Sequence, residues 1–182
     1  TANGYEAADP QLVLSSPYAD DQPTLVSRSD DTRAVTADLA GKRLAMVYYY
    51  LPPEQVQAFY PNAQLQLYPS TLSALGAVAF GQADVYLGDA IGAHYLIRKN
   101  YLNNVQLADF SRMESSDFAF ALARDNPRRL RILNAALAVI PSDERLTILR
   151  RWNSGGASLS GKNRVKFTAA EQRWLDSHPR VR

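Results

Sequence analysis

The strongest restriction on the fold is a regular alternation of strand-like and helix-like segments from Arg43 to Ala108. Arg43–Tyr48 reads as a strand, introduced by a turn at Gly41-Lys42. Pro52-Pro53 opens a helix over about 54–60, because proline suits a first turn whose N–H groups lack helical partners. Gln64–Tyr68 is the next strand. Ser70 caps a helix that carries Leu72, Leu75, Val78 and Ala79 on one face and ends at Gly81. Asp84–Leu87 is a buried strand. A helix starting at Gly88 or Asp89 turns Ile91, Tyr95 and Leu96 to the core and ends on Arg98-Lys99. Val105–Ala108 is a further strand. The order β-α-β-α-β-α-β with short loops predicts an α/β fold, a small sheet built from right-handed crossovers. Ligands of such sheets bind outside the carboxyl ends of the strands, here Tyr48-Tyr49-Tyr50 and Gly88-Asp89.

The flanks are less regular. Residues 1–23 are rich in turns, and Leu12–Leu14 and Thr24–Ser27 are strands too short to make a sheet alone. They must join strands formed elsewhere. Asp117–Ala123 alternates like a strand, with Phe118, Phe120 and Leu122 on one side. Asn126 as cap and Pro127 at the first turn open a helix with Leu130, Leu133, Asn134, Leu137 and Ile140 on one stripe. A second helix over about 142–152 buries Leu146, Leu149 and Trp152. Asn153–Lys162 is a Gly/Ser linker, and Thr168–Glu171 is a capping box for a short last helix.

Composition excludes several chemistries. The 182 residues contain no cysteine, which removes disulfides, thiolate catalysis and Cys-type metal sites. His94 and His178 are far apart and lack metal-ligand spacing, so no metal and no cofactor is expected. No nucleophile–base pairing or phosphate loop occurs. The net charge of +2 hides a split: residues 1–40 hold two basic and seven acidic groups, residues 124–182 thirteen basic and five acidic. Without a nucleic-acid motif the basic end is a solvated face, and no nucleic-acid partner is expected. No run approaches the roughly 18 apolar residues of a membrane helix, so no membrane contact is expected of this segment. A chain opening at Thr1 without a signal peptide reads as a piece of a longer protein.

Four motifs in order carry a resemblance. Leu14–Tyr18 (LSSPY), Asp38–Ala45 (DLAGKRLA), Leu75–Asp84 and Phe118–Ala121 (FAFA) resemble the periplasmic solute-binding proteins of the amino-acid type, solute-binding family 3. The tail Phe167–Arg182 looks like the entry into a second such module. Tandem modules joined in that way resemble BvgS/EvgS-type hybrid sensor histidine kinases. The resemblance implies a periplasmic-binding-protein-like Venus flytrap with one complete βαβ lobe and a partial first lobe. Residues 1–23 are then the C-terminal part of the first lobe, 24–116 the second lobe, 117–152 the return to the first, and 153–182 a linker and the start of a following module. It implies a periplasmic sensor of a two-component system in the inner membrane, non-enzymatic itself, homodimeric in the full-length protein and contacting the adjacent flytrap module. The alternatives are a solute-binding protein of an ABC transporter and a flytrap-like regulatory or catalytic domain of a periplasmic enzyme.

The family holds a ligand ammonium with an aspartate that opens a second-lobe helix, and Asp89 falls on that position. It holds the ligand carboxylate with a first-lobe arginine and with free N–H groups at a helix start. The arginine position falls on Ala8, no arginine precedes Arg28, and Pro52-Pro53 remove two donors. Losing a charge-assisted pair costs about 1.5–3 kcal/mol, so free amino acids are expected to bind poorly. Aromatic rings stand in for the clamp. Tyr48 and Tyr50 are expected to line the cleft, with Tyr49 packed inward and Tyr18 on the hinge side. Tyrosines beside Asp89 suit a small cationic or amphipathic ligand. They suit equally a lobe that binds nothing and packs against another module.

Overall fold

The structure, a computed structural model, describes residues 2, 4–31, 34–114 and 117–152. The expected linker and following module, 153–182, lie outside the described residues. The elements in chain order are α1 (Gly4–Ala7), β1 (Leu12–Leu14), β2 (Pro23–Arg28), β3 (Arg43–Val47), α2 (Pro53–Phe59), β4 (Gln64–Tyr68) and α3 (Thr71–Ala79). There follow β5 (Val85–Asp89), α4 (Ala90–Lys99), β6 (Val105–Phe110), β7 (Ala121–Ala123), α5 (Pro127–Ala138) and α6 (Ser142–Trp152).

Five strands form one mixed sheet in the order β4-β3-β5-β2-β6. The crossover strands β3, β4 and β5 are parallel. Between β5 and β6 lies β2, antiparallel to both, with a register shift at Leu25/Val26. Alternation along each strand feeds two cores. Leu25, Leu44, Met46, Val85 and Leu87 face α2 and join Val56 and Tyr60. Val26, Ala45 and Tyr86 face the other way and join Leu75, Val78 and Ala93 of α3 and α4. Helices therefore cover both faces, as parallel strands require.

Local signals set the helix starts. The Ser70 side chain accepts from the Ser73 N–H, and the Ser73 hydroxyl accepts from the Ser70 N–H, a reciprocal cap on α3. Asn126 caps α5 through the Arg129 N–H. Gly81 ends α3 with φ +71, where a side chain would be strained.

The second, two-stranded sheet pairs β1 with β7, Leu12 opposite Ala123. Its surroundings are polar. The Ser15 N–H donates to the Phe120 carbonyl, and the Ser15 hydroxyl accepts in return from the Phe120 N–H. Arg124 donates to the Pro10 and Leu12 carbonyls. Asn134 Oδ1 on α5 accepts from the Ser16 N–H at 2.7 Å. Arg145 of α6 closes the carboxyl end of α5 by donating to the Leu137 and Ile140 carbonyls.

The two sheets are linked by two segments running side by side. Ala19 and Phe118 form an antiparallel bridge, and the Ser111 N–H donates to the Pro23 carbonyl.

Tyr95, Leu146 and the strand over 117–123 differ from expectation. Tyr95 lies outward, 39% exposed, with the Lys99 ammonium 5.4 Å from its ring. Ala93 and Leu96, one turn apart on α4, fill the core in its place. Leu146 on α6 is 51% exposed, while Leu137 on α5 is buried as its stripe predicts. The strand expected over 117–123 shrinks to Ala121–Ala123, with single bridges at Phe118 and Ala119, because its partners β1, Ala19 and Ala2 are themselves short or isolated.

Candidate functional site: a two-walled acidic and aromatic cleft

A cavity of about 170 Å³ opens at the carboxyl ends of β3 and β5. One wall belongs to the five-stranded sheet: Val47, Tyr49, Tyr50, Thr71, Tyr86 and Asp89. The other comes from the segments around the two-stranded sheet: Ala2, Glu6 and Phe118. Ala2 is tied to Ala119 by two backbone bonds of 2.8 and 2.9 Å, which carries α1 and its Glu6 with that wall. The volume is close to a cavity of about 150 Å³ known to accept benzene, and well under the roughly 300 Å³ lower range of drug-sized pockets. Among the described residues no arginine, lysine or histidine lines it.

Asp89 sits where β5 ends and α4 begins. Its Oδ1 accepts from the Gly92 N–H at 2.5 Å, so it is the helix cap. Burial raises its pKa above the usual carboxylate value, opposed by the backbone bonds it accepts. A carboxylate has about four acceptor sites, so the cap leaves capacity for a cation.

Tyr86 forms the floor. It is fully buried, and burial first, then the Asp89 charge, pushes its hydroxyl well above the ordinary tyrosine range. A hydrogen bond with the Thr71 side chain opposes that shift. Its ring fixes the next residue but one: a Cβ on Gly88 would lie 1.8 Å from the Tyr86 hydroxyl oxygen.

The tyrosine run is placed differently from expectation. β3 makes its last rung when the Tyr48 N–H donates to the Tyr68 carbonyl, and the chain then turns, with the Tyr50 N–H donating to the Val47 carbonyl. Strand alternation stops there. Tyr49, expected inward, is on the cavity wall, and Tyr48, expected on the wall, is not; it is 50% exposed and meets the Tyr49 ring edge-on at 5.0 Å. Tyr50 does line the cavity, with its hydroxyl donating to Asp21 Oδ1 at 3.1 Å. Burial, then the charge of Asp21, raises its pKa. Tyr18 lies on the linking segment, its ring 4.8 Å from that of Phe120, and not on the cavity wall.

Sequence reasoning missed Ala2, Glu6, Val47, Tyr49, Thr71, Tyr86 and Phe118 as wall residues. Tyr86 and Thr71 were within reach of the rule that ligands meet strand ends and helix starts. Nothing local marks Ala2 or Glu6. The Arg43–Asp84 ion pair lies at the amino ends of β3 and β5, away from the cavity. Its bonds of 2.7 and 3.1 Å, with a third from the Arg43 N–H, are structural.

No protein-family model matches the sequence. The virulence sensor protein BvgS of Bordetella bronchiseptica is 42% identical over all 182 residues, which make up 15% of that protein. The crystal structure of the B. pertussis BvgS periplasmic domain superposes with a TM-score of 0.75 at 38% identity, over 98% of this chain and 35% of that one. This chain has the Venus-flytrap fold and is similar to the flytrap modules of BvgS. The B. pertussis BvgS periplasmic VFT2 domain also superposes, with a TM-score of 0.74 at 29% identity over 81% of this chain and 63% of that domain. The flytrap module thus spans about 15% of the length of the curated relative. Among the described residues no helix is long and apolar enough to cross a membrane.

Proposed function

We propose that this flytrap module is the periplasmic sensing part of a membrane-bound two-component histidine kinase, and that it reports cleft occupancy through the approach of two lobes. Residues 24–116 form one lobe; 1–23 and 117–152 contribute to the other; 153–182 lead into an adjacent module, and the full-length protein is a homodimer. The supporting observation is the shared cavity. Its walls belong to two sheets joined through the paired segments around Ala19–Phe118 and Pro23–Ser111. A molecule that touches both walls binds the closed form better than the open one, and that difference is what shifts the population.

The cleft favours a small cationic or amphipathic ligand over a free amino acid. Asp89 and three tyrosines supply a counter-charge and ring faces. The start of α2 is Pro52-Pro53, which has no N–H to give a carboxylate. A carboxylate would enter beside Glu6 and Asp89 with no basic side chain on the described wall.

The test uses a disulfide across the cleft. The chain has no cysteine of its own. The double variant Glu6→Cys/Tyr49→Cys, placed in the full-length protein, is oxidised and kinase output is followed. Output driven to one extreme by oxidation and restored by reduction is expected. Output indifferent to a formed disulfide removes lobe closure as the signal.

A further inference from the structure

We infer that α2 and the tyrosines at its two ends form a strut that fixes the angle between the two sheets, with Tyr50 and Tyr60 as positioning residues for lobe closure. The inference rests on the two-lobe reading given above and goes further, to the side chains that hold the joint. Tyr50 lies in the turn before α2, and Tyr60 is the cap that ends it. Both are buried in one core with Leu51, Val56 and Met113. The Tyr50 hydroxyl donates to Asp21 Oδ1 at 3.1 Å, on the first linking segment. The Tyr60 hydroxyl and Ser111 Oγ are hydrogen-bonded at 2.7 Å, on the second. One short helix thus grips both segments, one from each end.

Backbone bonds on the same side complete the grip. The Ala90 N–H at the start of α4 donates to the Gln22 carbonyl, and the Ser111 N–H donates to the Pro23 carbonyl. The Met113 N–H donates to Ser111 Oγ. Residues 21–23 and 111–113 are therefore held to the five-stranded sheet. Two residues before Asp21 the chain belongs to the other side, where the Phe118 N–H donates to the Ala19 carbonyl and the Tyr18 N–H to the Phe118 carbonyl. In the first segment the change falls at Asp20, which is exposed. A joint confined to so few residues turns through a narrow range, because few backbone angles absorb the motion. Without the two hydroxyls more of each segment comes loose, and the range of angles grows. Tyr50 also lines the cavity and Tyr60 does not. A ligand on the Tyr50 wall therefore reaches the joint through one hydroxyl, while the Tyr60–Ser111 bond holds the far end.

The experiment measures the distance between the sheets by double electron–electron resonance on the full-length protein, with any cysteine outside this module replaced by serine. Spin labels are attached at Lys99→Cys, exposed on α4, and at Asp125→Cys, exposed beside β7. The pair is placed in the parent, Tyr50→Phe, Tyr60→Phe, the double variant, Ser111→Ala and Tyr68→Phe. Tyr68 is the control, since its hydroxyl bonds to Gln66 Oε1 on its own strand. Tyr68→Phe is expected to keep the distance distribution of the parent. Tyr50→Phe and Tyr60→Phe are each expected to broaden it, the double variant most, and kinase output is expected to shift in step. If Tyr50→Phe fails to fold, Tyr60→Phe and Ser111→Ala remove the second grip from either side, and both must broaden the distribution. Folded variants that all keep the parent distribution overturn the strut, and so does equal broadening in Tyr68→Phe. Broadened distances with kinase output at the parent level leave the strut standing and overturn lobe closure as the signal.

Discussion

The Tyr50 hydroxyl donates to Asp21 Oδ1 across 3.1 Å, and both residues are buried. Tyr50 stands on the cavity wall; Asp21 stands in one of the two segments that link the sheets, where its own N–H is 3.4 Å from Asp117 Oδ1 of the other segment. The bond therefore ties the cleft lining to the segments that link the two sheets. Removing the hydroxyl withdraws a donor from a buried carboxylate, and such losses cost about 1–3 kcal/mol. Tyr50→Phe is expected to lower Tm by several degrees in a thermal unfolding scan, given roughly 2–4 °C per kcal/mol for a chain of this size. An unchanged Tm would mean that the hydroxyl contributes nothing.

Gly76 on α3 and Gly88 on β5 should respond oppositely to alanine. A Cβ on Gly88 would meet the Tyr86 hydroxyl oxygen at 1.8 Å and ring carbon Cζ at 2.3 Å, and Tyr86 is locked in the core. Gly88→Ala is expected to destabilise by more than about 2 kcal/mol through overpacking. Gly76 lies inside α3 with nothing within 4 Å of its would-be Cβ. Gly76→Ala should stabilise by about 0.5–1 kcal/mol through lower chain entropy. Urea unfolding of the two variants checks the contrast.

Asp84 and Asp89 bend the pH profile in opposite directions. The Arg43 guanidinium holds the Asp84 carboxyl below its usual value of 3.8. Its contribution is present above pH 3.8 and is lost as pH falls through the lower folded value. Asp84→Asn should therefore flatten the acid limb of the Tm profile between about pH 4 and pH 2. Burial raises Asp89 above 3.8, so its contribution is fully present below 3.8 and is lost as pH rises through the folded value. Asp89→Asn should be at least as stable as the parent at pH 7, with the difference shrinking as the medium is acidified. A variant less stable at pH 7 and converging on the parent in acid would contradict this sign.

The Asn134–Ser16 bond anchors α5 to the turn that follows β1. Asn134→Ala leaves the Ser16 N–H without that acceptor. The expected cost is about 1 kcal/mol, since the site is exposed and water replaces part of the bond. Hydrogen exchange at Ser16 should quicken while exchange in β3 and β5 stays as it was.

The helix starts and the strand–helix order were legible in the sequence because their signals are local. Ser70, Asp89 and Asn126 bond to N–H groups three residues on, and Gly81 supplies a positive φ at its own position. The place of Asp89 was legible for the same reason: a cap at a strand end is visible in a few letters. Long-range pairing made the rest. Insertion of β2 between β5 and β6, antiparallel to both, follows from backbone partners 58 to 86 residues away in number (Ser27 with Val85, Thr24 with Phe110), which no local period encodes. The turn after Val47 exchanged the expected places of Tyr48 and Tyr49, because alternation ends where the ladder with β4 ends. The far wall of the cleft, Ala2 and Glu6 with Phe118, exists because Ala2 pairs with Ala119. Short-range hydrogen bonding is written in adjacent residues; which surfaces face each other across a cleft depends on contacts made only once the whole chain has folded.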